Sequence, residues 1–248
     1  MLAQTRLLLI LLTALLVACA PAVEVRPQAS AETVKAPLEA EQPGLYWWQL
    51  RFKLAWPEGE YPDFSTHLLI ADQILLPAIV EHEGQLSLWR FHRRAARTPS
   101  GHQFSFIFLS DPDTAAKIDR QVRDNPLTTW LSEQGMIEKT RLNKRSKEEL
   151  AKLEDTSDPN WPAEIQRSWP WFIMGASQSW LMMVHEISGR YPLEGRVPYA
   201  ELAAHYRQVD DELNEQWREY GQHAYLHHLS AVYGYRPMRI RTNDLKTF

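Results

Sequence analysis

The chain of 248 residues contains one cysteine, Cys19. A single thiol excludes an internal disulfide and a cysteine-ligated metal cluster, so the fold must be held by its core. Long apolar runs are also lacking: the longest, Leu7 to Leu16, falls short of the about twenty residues that a spanning helix needs. There is no excess of positive charge, with 27 Lys and Arg against 31 Asp and Glu, and therefore no global electrostatic footprint for a nucleic acid partner. Glycine-rich phosphate loops, a Gly-x-Ser-x-Gly elbow and a His-Glu-x-x-His pair are absent too. His185-Glu186 has no second histidine in register, and Ser177, Ser179 and Ser188 near His185 do not define a triad without geometry. Asp210 and Asp211 are adjacent on a helix, point apart and form no glycosidase-like pair.

What is present begins at the N-terminus. Arg6 precedes the apolar run, which ends in Leu16-Val17-Ala18-Cys19. This is the order of an exported precursor: charge, short apolar stretch, small residues at a cleavage point. A plain signal peptide and a short anchor share that order, but cysteine in this register is what resembles the lipobox of a bacterial lipoprotein. The resemblance implies that residues 1–18 are removed and that Cys19 becomes the lipidated N-terminus. Several acyl chains on one residue hold a protein stably on a bilayer, where one chain holds it only marginally. Ala20 stands where an aspartate would signal retention in the inner membrane. The resemblance thus implies an outer-membrane protein facing the periplasm.

Residues 19–43 follow as the lipidated cysteine and a tether rich in Ala, Glu and Pro without aromatics, read as disordered. A coil of this length has an end-to-end distance of about 25–30 Å. The character changes at Leu45. Trp48, Leu50, Phe52, Leu54 and Trp56 alternate with Trp47, Gln49, Arg51, Lys53 and Ala55, the period of a half-buried strand. Ser65 caps a predicted helix that Pro77 kinks or ends. Leu86 to Ala95 and His102 to Leu109 read as a hairpin across the Arg97–Gly101 turn. Ser110 or Asp111, with Pro112, opens a second helix, broken near Pro126, and Met136 to Leu142 reads as a last strand. The order predicts an α+β fold with a ferredoxin-like βαββαβ antiparallel sheet over residues 44–145.

Residues 146–248 read as a helical unit packed on that sheet. Ser146 and Glu149 fit a capping box for a short helix near 147–154 in a charged connector. Trp169 to Ile187 is apolar on most sides, as expected of a buried helix with Pro170 in its first turn. Pro198 to about Tyr233 carries an inward stripe, Tyr199, Leu202, Tyr206, Val209, Leu213, Trp217, Tyr220 and Ala224, which Gly221 bends or divides. The tail with Arg236, Arg239 and Arg241 is a short strand or a loose end.

Two clusters carry chemistry. If Trp89 and Phe91 share the core face with Phe104, Phe106 and Phe108, then Arg90, His92 and Arg94 share the opposite face with Arg51 and Lys53. Cations on a rigid sheet suit a phosphate, a carboxylate or an acidic sugar, and His92 would make binding pH-dependent. A solvated face, or one covered by the helices with Asp210, Asp211, Glu212 and Glu215 as partners, is the plainer alternative. The second cluster is Glu219, His223 and His227 at four-residue steps, with His185 to complete a zinc, iron or manganese site. His223-Ala224-Tyr225-Leu226-His227 distantly resembles the His-x-x-x-His helix of DinB-like metal proteins, four-helix bundles, whereas two long helices are found here. The leading expectation is a non-catalytic envelope module, lipid-anchored, that meets a partner protein or an anionic glycan and uses no cofactor. A metal-dependent envelope enzyme is the alternative.

Overall fold

In the computed structural model, residues 44–143, 152–193 and 197–238 are described. The signal peptide, Cys19, the tether, residues 147–151 of the predicted 147–154 helix and the tail's Arg239 and Arg241 lie outside them; at the end of that predicted helix Lys152 is extended and Leu153–Thr156 is a 3-10 turn. Strand β1, Tyr46–Leu54, keeps the predicted alternation, with Leu50, Phe52 and Leu54 buried. It pairs antiparallel with β3, Gly101–Ser110, and with β4, Ile137–Leu142, while β2, Leu88–Ala96, pairs antiparallel with β3. The sheet order is β2-β3-β1-β4, and the fold is α+β. Trp89 lies opposite Phe108 and Phe91 opposite Phe106, the register that makes the apolar face continuous. The tight β2–β3 turn needs the left-handed backbone of Gly101, φ +63°.

The first helical stretch is continuous through Pro77. It runs as α1, Ser65–Ile70, a π-helical turn over Ala71–Leu75, and α2, Leu76–Glu81. The wider turn before it places Pro77, which lacks an N–H and crowds an α-helical carbonyl, without a break. Asp63, and not Ser65, does the capping: its carboxylate accepts from the Ser65 backbone N–H at 2.9 Å and from the Ser65 and Thr66 hydroxyls. Helix α3, Pro112–Arg123, starts as predicted, with Asp111 accepting from the backbone N–H of Asp113 and Thr114, each at 2.9 Å. Asp111→Ala should therefore cost about 1 kcal/mol, the usual worth of such a cap, read as a lower urea midpoint with an unchanged slope. Asn125 restarts the chain as α4, Pro126–Glu133.

Helix α5 spans Ala163–Arg190, so Pro170 sits in its interior and not in its first turn. The carbonyl of Gln166, which the proline cannot satisfy, accepts from the Ser157 hydroxyl at 2.7 Å. Nor is α5 a fully buried helix: Leu181, Val184 and Ile187 face the core while Phe172 and Met182 are half exposed. It runs against the free edge of β2, where the Phe91 backbone N–H donates to the Ser177 hydroxyl at 3.0 Å. Helix α6, Tyr199–Gly221, packs on α1 and α5, then passes through a π-helical turn, Gln222–His227, into α7, His228–Val232. Its predicted stripe holds through Tyr206, Val209 and Leu213, but Trp217 and Tyr220 are exposed because no element of the core extends that far. One hydrophobic cluster joins the sheet, α1 to α4, and the inner faces of α5 and α6. Among the described residues no helix is long and apolar enough to cross a membrane.

Candidate functional site

The face of the sheet turned away from this core takes its character from register. Across the four strands, one row reads His92, Ser105, Arg51, Arg141 and the next reads Arg94, Gln103, Lys53, Lys139. Directly opposed side chains of an antiparallel pair share a face and lie within about 5.5 Å at Cβ. Arg51 therefore faces Arg141, and Lys53 faces Lys139, like charge against like. Such pairs cost stability in a sheet. Arg51, His92, Arg94, Lys139 and Arg141 are all exposed.

Few partners offset this charge. Lys53 pairs with Glu138 at 2.6 Å, and Arg51 donates to Gln49 at 2.7 Å. Among the described residues no carboxylate lies within ion-pair distance of Arg51, Arg94, Lys139 or Arg141. Three of the four α6 acids expected to cover the face are engaged elsewhere. Glu212 takes Arg190 and the Tyr191 hydroxyl, Glu215 takes Arg218, and the Asp210 charge acts on Arg93 on the core side. Desolvation of the ring, reinforced by repulsion from Arg90, Arg94 and Arg51, holds the His92 imidazole below its ordinary range.

Arg90 differs from its neighbours. It is half-buried and donates to the Thr156 carbonyl at 3.2 Å, so it fastens the turn Leu153–Thr156 across one end of the face. Trp47, on the same side of β1, is buried there and donates to the Lys152 carbonyl at 2.9 Å. The face is thus closed and apolar at one end, with Leu88, Ile107 and Leu109, and open and cationic at the other. Lys139 and Arg141 escape a strand-by-strand reading. Their matching parity in the Met136–Leu142 alternation is a signal, but only the pairing with Arg51 and Lys53 gives it meaning.

The second predicted cluster is separated. His223 and His227 have ring centroids 5.3 Å apart, and His228 joins them at 5.4 Å from each. Glu219 is exposed on the preceding turn. His185 is committed elsewhere, with Nδ1 2.8 Å from the Asp72 carboxylate. Among the described residues no three His, Cys, Asp or Glu side chains are arranged to hold a metal ion. Asp72, almost fully buried in the π-helical turn, also accepts from the Tyr206 hydroxyl and from Gln73 Nε2 at 3.1 Å. Burial and the Asp72 charge push the Tyr206 phenol well up. Ser188 continues the chain of polar contacts, donating to Tyr206 at 3.4 Å and lying 2.8 Å from His205 Nε2.

Compared with protein-family models, with curated proteins and with solved structures, the chain matches none.

Proposed function

We propose that the chain is a lipid-anchored envelope protein, tethered through Cys19 to the outer membrane, whose sheet binds an acidic glycan. The lipobox resemblance supports the anchor, and the strand order β2-β3-β1-β4 with antiparallel pairing throughout supports a ferredoxin-like sheet, split βαβ in plan. One observation carries the binding reading: two adjacent rows of the open face oppose Arg51 to Arg141 and Lys53 to Lys139, with Arg94 and His92 alongside. A sheet gains nothing from this charge by itself, whereas a chain of carboxylates or phosphates laid across the rows would meet the paired cations of β1 and β4, about 4.8 Å apart, and Arg94 on β2 beyond the uncharged positions of β3. The guanidinium groups offer bidentate pairing to each acid. The protein needs no catalysis for this role.

The test is a titration of the full chain with a short oligogalacturonate at low and physiological salt. Binding should weaken steeply with salt. Arg51→Ala with Arg94→Ala should weaken it at least tenfold, since each charge-assisted pair is worth about 1.5–3 kcal/mol. Both side chains are exposed, so the melting temperature should not fall. Equal affinity in the double variant would remove the face from consideration.

A further inference from the structure

A groove opens between α2 with the turn behind it and α5. Its walls are Leu76, Ile79, Val80, Met174, Leu181 and Met182, and its volume is about 440 Å³. This lies within the range of sites for small organic molecules, which are mostly apolar with a few placed polar groups. Here the polar groups are Glu83, on the turn, and Gln178 and His185, two helical turns apart on α5. His185 is two-thirds exposed, while its partner Asp72 has only 1% of its side chain accessible.

The Asp72 carboxylate is expensive to bury, and an apolar side chain would join the helices without that cost. It is instead held as an acceptor by three donors, the Tyr206 hydroxyl, Gln73 Nε2 and His185 Nδ1. With Nδ1 engaged by the Asp72 carboxylate, the second ring nitrogen, Nε2, lies on the far side of the ring, and His185 lines the groove. Asp72 reaches this position from a π-helical turn, a distortion found frequently at functional sites. Ser188 is occupied by His205 and Tyr206 and is no nucleophile for this base.

We propose that His185 is a general base in this groove and that the groove hydrolyses carboxylic esters of lipophilic acids. Water at Nε2 gives up a proton to the imidazole as its oxygen attacks the ester carbonyl carbon. The bond from that carbon to the alkoxy oxygen then breaks, and the imidazolium returns the proton to the departing alkoxide. The products are a carboxylic acid and an alcohol, with no change of oxidation state. The Gln178 amide supplies the donor for the carbonyl oxygen, the apolar walls hold the acyl chain, and Asp72 acts as a positioning residue.

The experiment uses the full chain and p-nitrophenyl esters from acetyl to dodecanoyl. The expected kcat/KM rises with acyl length through the medium chains and exceeds that of an equal concentration of free imidazole. His185→Gln should lower kcat at least 100-fold, the lower end of what a positioned base contributes, with KM unchanged in the folded variant. Asp72→Asn should lower kcat with little change in KM, a split that loosened packing alone would not produce. A wild-type rate no better than imidazole overturns the proposal. So does a His185→Gln variant of wild-type rate, and so does a medium-chain ester that binds without turnover.

Discussion

Phe104→Ala is expected to remove about 3–5 kcal/mol, the usual range for a buried phenylalanine cut to alanine. Small domains are stable by only about 5–15 kcal/mol, so the loss is a large share of the whole. The side chain is fully buried at a junction: its ring lies 5.2 Å from Phe91, 5.0 Å from His67, 6.4 Å from Phe52 and 6.2 Å from Trp180. Three of these partners belong to the sheet and to α1, and Trp180 belongs to α5. The vacancy would therefore loosen α5 together with the strands. Urea melts followed by tryptophan fluorescence and by far-ultraviolet circular dichroism should shift together in one transition. Phe104→Leu, which keeps most of the volume, should shift the same transition less, by about 1–1.5 kcal/mol. Two separate transitions in either variant would show that the helices and the sheet are not coupled through this ring.

Stability should also fall on mild acidification, beginning below about pH 6.5, and His67 should carry much of the slope. Its side chain is fully buried, and Arg93 Nε–H donates to its Nδ1 at 3.1 Å, so that nitrogen is an acceptor and the ring is neutral. Burial first, then the Arg93 charge and the neighbouring His102, hold the imidazole well below its ordinary range. In the unfolded chain the same ring takes a proton near pH 6.5. Between that value and the lower native one the unfolded state binds more protons, so stability drops as pH falls, by up to about 1.4 kcal/mol per pH unit. Above about pH 7.5 neither state is protonated and the contribution vanishes. His102 and His205 are also held low, chiefly by burial, and act in the same direction. Urea midpoints from pH 8 to pH 5 should trace this slope, and His67→Gln, which keeps an acceptor for Arg93, should flatten it. An equal slope in that variant would place the acid sensitivity elsewhere.

His67, His102 and Arg93 mark where the sequence stops being legible. Alternation gives the strands and the hairpin register because one face is buried and a one-residue slip inverts it. That rule carries polar Arg93 and His102 inward with Phe91 and Phe104, and it does not say what makes their burial tolerable. Arg93 is accommodated by rings, at 4.9 Å from the Phe64 centroid and 5.0 Å from that of Trp180, partners that lie on α1's approach and on α5. Burial pulls its guanidinium down to about 10 against the Asp210 charge. No local pattern contains that compensation.

The helices show the converse. Periodicity continues past Leu213 to Trp217 and Tyr220 as if the core did too, but these rings meet solvent and each other's neighbours, Trp217 stacking on Tyr225 at 5.8 Å. A stripe states which side would be buried, and only the length of the opposing element decides how much of it is. The cationic face is half legible: Arg51, Arg90, His92 and Arg94 follow from parity, while Arg141 needs the β1–β4 pairing. The pairing of Asp72 with His185, 113 positions apart, has no sequence signal, and the sequence marks His185 only as a candidate metal ligand. A π-helical turn rotates Asp72 inward, and a turn of that kind is settled by what the side chain finds there.

The two edges of the sheet are treated differently. At β2 the Ser177 hydroxyl meets the Phe91 N–H, so α5 seals that edge. At the other side stands β4, six residues long, with Glu138, Lys139 and Arg141 exposed. A short strand bearing charge is a poor template for a strand of another molecule. The like charges across β1 and β4 thus act as a guard as well: the repulsion that weakens the pair also discourages the sheet from growing outward. The proposed lipid anchor would hold copies at high local density, each within reach of the next, where such a guard has particular use.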